Sequence, residues 1–159
     1  MTQTTAQVRG ADNAAAKINF IAALYELNCF TNQLKRDRVD VILSPEALEI
    51  LDDYNVTVDD NDDAIDDAVW DALRADCLGV DYSATWSSGS DYNGEPQSFK
   101  VWLTVGGPSC YTVGDFGKHG IVDQQSLEVR YSWASESDYV RLTESETEAI
   151  AWYVEQVAV

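Results

Sequence analysis

Apolar residues recur at helical spacing through the first half of the chain and at alternate positions through the second. Across residues 14–34 they form two lines: Ile18, Ile21, Tyr25 and Cys29, then Phe20, Leu24, Leu27 and Leu34. That pattern predicts a helix buried on most sides, either as a core helix or as one that also meets a second subunit in a homodimer. Residues 1–10 read as a flexible tail. A short β-like run follows at 39–43, and Ser44-Pro45-Glu46 then marks a helix start. Serine can cap, proline suits the first turn, and the acid faces the positive end of the macrodipole. This helix should end near Tyr54, before a linker over 55–60 with a short extended piece at 56–58.

The next helix is expected over 62–78, with Gly79 as its stop. At about 100° per residue, Ile65, Ala68, Val69, Ala72 and Leu73 share one side. Asp63, Asp66, Asp67 and Asp71 gather on the other, with Trp70 and Arg74 among them. Residues 80–87, 98–105, 110–116 and 126–133 are rich in aromatic and β-branched residues at period two, as in Phe99, Val101, Leu103 and Val105. Between them lie Ser88-Gly89, Asn93-Gly94-Glu95-Pro96, Gly106-Gly107-Pro108 and residues 117–120, all turn chemistry. Short turns between successive strands imply an antiparallel meander. Thr143-Glu144-Ser145-Glu146 has the form of a capping box and opens a last helix through about 157, with Ile150, Tyr153, Val154 and Val157 inward.

These elements predict an α+β fold: N-terminal helices plus a four-stranded antiparallel β-sheet with a C-terminal helix packed on it. Residues 1–159 read as one domain, mainly helical over 14–79 and sheet plus helix over 80–159. A chain of 159 residues with 45% hydrophobic content can build a real core. No stretch approaches the roughly 18 apolar residues that would cross a bilayer, and the polar N-terminus lacks the apolar core of a signal peptide. Cys29, Cys77 and Cys110 are odd in number and widely spaced. They fit neither a disulfide framework nor a zinc site, and a cytoplasmic setting is the expectation.

Charge changes the picture most. The formal net charge is −18, a self-repulsion that costs stability at low salt and calls for a reason. Solubility in a salt-rich cytoplasm, cation binding and a basic partner all compete as that reason. Nucleic acid and anionic membranes would be repelled as direct partners. The acidity is uneven, because residues 1–38 carry a slight excess of bases. It is densest over 59–76, where Asp59, Asp60, Asp62, Asp63, Asp66, Asp67, Asp71 and Asp76 face the single base Arg74. Asp63, Asp67 and Asp71 step by one helical turn, roughly 6 Å, close to the spacing of phosphates along a nucleic-acid strand. Such a row can meet the Lys and Arg side chains of a nucleic-acid-binding protein; the plainer reading is a solvated acidic face. Asp59 to Asp71 would form the phosphate-like row, and Asp76 with the acids near the C-terminus, among them Glu144 and Glu148, a second patch.

Other chemistry has less to stand on. His119 is the lone histidine and sits in a Gly-Lys-His-Gly turn; no P-loop, GxGxxG or HExxH occurs. Asp59, Asn61 and Asp63 match the opening of a calcium loop, but Ala64 replaces its glycine and Trp70 its final glutamate, so no metal or cofactor is assigned. Among the sheet aromatics, Trp102 falls opposite to the Phe99/Val101/Leu103 parity and is the best candidate for an exposed protein-binding anchor.

The segment Val105-Gly106-Gly107-Pro108-Ser109-Cys110-Tyr111-Thr112-Val113-Gly114-Asp115, followed by Leu127-Glu128-Val129-Arg130-Tyr131-Ser132-Trp133, resembles small proteins carried by phages and plasmids. In those, a GGP turn leads into a strand with Gly-Asp or Gly-Glu, and the next strand ends near a Trp. The likeness covers roughly residues 80–155 and departs at Arg130-Tyr131-Ser132-Trp133, where those proteins tend to have Gln-Asp-Trp. In size and acidity the chain is also similar to anti-CRISPR and anti-restriction proteins, several of which mimic DNA. The resemblance implies a non-catalytic inhibitor of a CRISPR or restriction complex in the host cytoplasm, and assigns no active-site residues. Two alternatives stand beside it: a binding module using the exposed sheet aromatics, and an acidic halophile-type protein.

Overall fold

In the computed structural model, which describes residues 2–33, 42–83, 97–105, 108–133 and 135–158, helix α1 (Thr5–Gln33) is the central element. It starts where the sequence suggested a tail. Thr4 Oγ1 accepts from the Gln7 amide at 3.2 Å, and Gly10 is buried against Tyr131. A Cβ at Gly10 would come within 2.5 Å of the Tyr131 ring, so glycine here lets the helix lie directly on the sheet. Tertiary packing thus overrides the residue's poor helix propensity. Ile18, Ile21, Leu24 and Leu27 are buried as the pattern predicts; Leu34 lies outside the described residues.

Helix α2 (Pro45–Asp53) follows the predicted start signal closely. Ser44 Oγ accepts from Ala47 N at 3.2 Å, while Glu26 of α1 holds the same serine through its amide (2.9 Å) and hydroxyl (2.5 Å). The β-like run before it falls mostly outside the described residues; Ile42 and Leu43 are irregular, not strand. No extended piece forms at 56–58 either, because the chain turns there, with Thr57 bonded to Asp60. Helix α3 (Asp62–Asp76) is capped by Asn61, whose Oδ1 accepts from Ala64 N at 2.8 Å. It stops before Gly79, which opens the first strand instead.

Among the described residues the sheet has five strands, one more than the pattern predicted: β1 (Gly79–Ser83), β2 (Ser98–Thr104), β3 (Ser109–Asp115), β4 (Glu128–Trp133) and β5 (Glu136–Val140), all antiparallel in that order. The added strand, β5, reads Glu-Ser-Asp-Tyr-Val. Its charged, polar composition disguises a strand but suits a sheet edge, where charge discourages stray pairing. The turns at 88–89 and 93–96, and Gly106-Gly107, lie outside the described residues. Helix α4 (Glu144–Ala158) opens with the predicted box: Thr143 N donates to Glu146 Oε2 at 2.8 Å and Glu146 N to Thr143 Oγ1 at 3.3 Å.

Phe99, Val101 and Leu103 of β2, Cys110 and Thr112 of β3, and Val129 and Tyr131 of β4 all turn to one side of the sheet and are buried. Helices α1 and α4 cover that side; α2 and α3 pack on α1 and on each other. One continuous apolar cluster links all three layers. Among the described residues the sheet therefore has one covered and one open face, and α2 with α3 forms the outermost layer on the opposite side. No described helix is long and apolar enough to cross a membrane.

Candidate interaction face on the acidic helix pair

The layer formed by α2, α3 and their connection spans residues 45–76, which hold twelve acids and one base, Arg74. Burial of Ile65, Ala68, Val69, Ala72 and Leu73 against α1 fixes the rotation of α3. Asp63, Asp67 and Asp71 are consequently exposed along its outer side, at one-turn steps of roughly 6 Å. Asp71 is paired with Arg74, so the single base of the layer is already partnered. Asp59 and Asp60 are exposed in the loop before the helix, and Asp60 also closes its turn by accepting from Thr57 N at 2.7 Å. Asp62 and Asp66 are half-buried at the margins.

Sequence reasoning missed half of this face. Burial of Ala47, Ile50 and Leu51 turns Glu46, Glu49, Asp52 and Asp53 of α2 outward, so four more carboxylates adjoin those of α3. The alternation of apolar and acidic positions after Pro45 held that signal. Three large apolar side chains stand exposed within the layer, Leu48, Val58 and Trp70, at 46%, 37% and 42%. A hollow of about 180 Å³ opens between α1, α2 and α3, with Phe20 and Tyr54 on its apolar side and Asp53 and Asp76 on its polar side.

Asp76 does not belong to the outward row. Its side chain is only 9% exposed; Lys17 of α1 is ion-paired to one oxygen, and the Tyr153 hydroxyl of α4 donates to the other at 3.1 Å. Burial, then the Asp76 charge, pushes the Tyr153 phenol above its ordinary value and keeps it a donor. Glu144 and Glu148 are exposed on α4, a different element. Glu148 lies beside Tyr25, whose phenol is raised by burial and then by Cys29 and Glu148.

Trp102 sits on the open face of the sheet, as its parity predicted, but half-buried. Its Nε1 donates to Asp81 at 2.8 Å, Tyr111 packs against it at 5.2 Å, and Lys100 Nζ lies 3.8 Å from its ring centre. His119 is exposed in a turn at positive φ. Among the described residues no group of three or more His, Cys, Asp or Glu side chains converges as a metal site would require. No family model, curated protein or solved structure matches the chain.

Proposed function

We propose that this protein is a non-catalytic inhibitor that binds a basic nucleic-acid-binding protein through the outer surface of α2 and α3 and takes the place of its polyanion. The observation that carries this reading is the segregation of charge. Exposed carboxylates of α2, α3 and their loop form one continuous layer, and its single base is already paired. Like charges at one-turn spacing weaken a helix slightly, so a layer built this way favours a role outside the fold. A polyanion surrogate works because its carboxylates meet the Lys and Arg groups that would otherwise contact phosphate. Leu48 and Trp70 add apolar contact to a surface that charge alone would leave unspecific. The partner class we favour is a host defence nucleoprotein of the CRISPR or restriction kind, in keeping with the resemblance of the β3–β4 segment and with the acidity.

Immobilised protein, exposed to host lysate treated with nuclease, tests this. The expected result is capture of a basic nucleic-acid-binding protein that elutes as salt rises. The variant Asp63→Lys/Asp67→Lys/Asp71→Lys, shown to be folded by its melting curve, should fail to capture it. Equal capture by that variant would remove the acidic face from the account.

A further inference from the structure

On the open face of the sheet one row of side chains crosses every strand and a second crosses four of them, beside a shorter row of Ser83, Ser98 and Asp115. In the first, Gly79 of β1, Trp102 of β2, Tyr111 of β3, Arg130 of β4 and Tyr139 of β5 stand side by side. In the second, Asp81, Lys100, Val113 and Glu128 are neighbours; Val129 pairs with Val140, the last residue of β5, so extending that register by one step sets Arg141 opposite Glu128. The signs along this second row run negative, positive, neutral, negative, positive. Read from the other end, every charged position meets its opposite.

That antisymmetry has a geometric meaning. A two-fold axis parallel to β3, lying between two such faces, sets β1 over β5 and β2 over β4. Asp81 then faces the second copy's Arg141, Lys100 faces the second copy's Glu128, and the central Val113 meets itself. In the first row Trp102 faces the second copy's Arg130, a guanidinium over an indole. Tyr111 meets itself. Tyr139, 60% exposed, faces Gly79, where no side chain fills the space beside Trp102. We infer that two copies of this chain associate through this face, sheet against sheet, about that axis.

Charge selects a second copy as the occupant. Elsewhere two molecules of net charge −18 repel, whereas these rows bring two of the ten bases, Lys100 and Arg130, into the middle of the contact. In the single chain both cations are held within the face, Lys100 against Trp102 and Tyr111 and Arg130 on Glu128 at 2.6 Å. Association exchanges those contacts for equivalent ones across the axis. A small tilt of the axis away from β3 gives the crossing of about 30° usual for aligned sheets, an offset that these long side chains span. Five strands about 4.8 Å apart and about six residues long present roughly 500 Å² per copy, a small interface. The dimer should therefore be weak and concentration-dependent. It leaves an acidic α2–α3 layer on each outer side, independent of whatever that layer binds.

Sedimentation equilibrium in moderate salt, from about 10 µM to about 1 mM, reads the association over the range a small interface allows. The expected mass climbs towards the dimer. Lys100→Glu and Glu128→Lys each set like charges against each other twice and should weaken association at least about tenfold. An equimolar mixture of those two variants restores both pairs and should dimerise. Arg141→Glu, in irregular exposed chain, should weaken it as well, which covers a sheet variant that folds poorly. A wild-type chain that stays monomeric throughout, variants that associate like the wild type, or a mixture that stays monomeric would each overturn the inference.

Discussion

Replacing Asp76 by alanine should damage the fold, although by charge it is one more member of an acidic row. Its carboxylate is 9% exposed and accepts from the fully buried Tyr153 hydroxyl at 3.1 Å while pairing with Lys17. Removing it leaves that hydroxyl without its acceptor, at about 1–3 kcal/mol. Breaking a fully buried pair costs about 3–5 kcal/mol, but Lys17 is 26% exposed and can turn towards water, so only part of that applies. The net expectation is about 2–4 kcal/mol, which for a chain of this size lowers Tm by roughly 5–15 °C. Asp71→Ala is the control: it is paired with Arg74 in the open, and its loss should shift stability by no more than about 0.5 kcal/mol. Urea and thermal unfolding of both variants give the comparison. Equal, small shifts would refute the assignment of Asp76 to the interior, and a loss of stability in Asp71→Ala would refute the reading of α3 as an outward row.

Gly114→Ala should cost about 1–3 kcal/mol by urea unfolding, because the new Cβ would stand 2.8 Å from the buried Phe99 ring, which Phe116 holds at 4.9 Å. Gly117→Ala, with nothing closer than 3.4 Å, should be nearly neutral. Burial pushes the Cys110 thiol up from 9.0 to about 11, so the folded state holds this proton more tightly than the unfolded chain. Its contribution is complete below pH 9 and lost as pH climbs towards 11, and Cys110→Ala should flatten that part of a stability-against-pH curve. Adding salt should raise the urea midpoint of the wild type, because screening relieves the self-repulsion of −18 charges.

Local signals carried the sequence reading where neighbours in the chain decide the structure. The Thr143 box and the Ser44 cap are both made by residues three apart, and both form. The rotation of α3 followed from its own apolar period. What could not be read depends on distant partners. Gly10 looks like a helix breaker until the Tyr131 ring, supplied by β4, occupies the place of its missing side chain. β5 lacks the apolar alternation of a strand because only β4 and the edge position make it one. Asp76 could have been left out of a second acidic patch, since it lies four residues after the buried Ala72 and continues the inner stripe. The partner that makes its burial tolerable, Lys17, lies 59 residues away.

The most direct test of the acidic face is a displacement titration on the captured partner, loaded with a labelled oligonucleotide it binds. Added wild-type protein should release the oligonucleotide competitively, with an apparent affinity that falls as salt is raised, and the triple lysine variant should release none. If protein and oligonucleotide sit on the partner together, the surrogate-polyanion account of α2 and α3 is wrong.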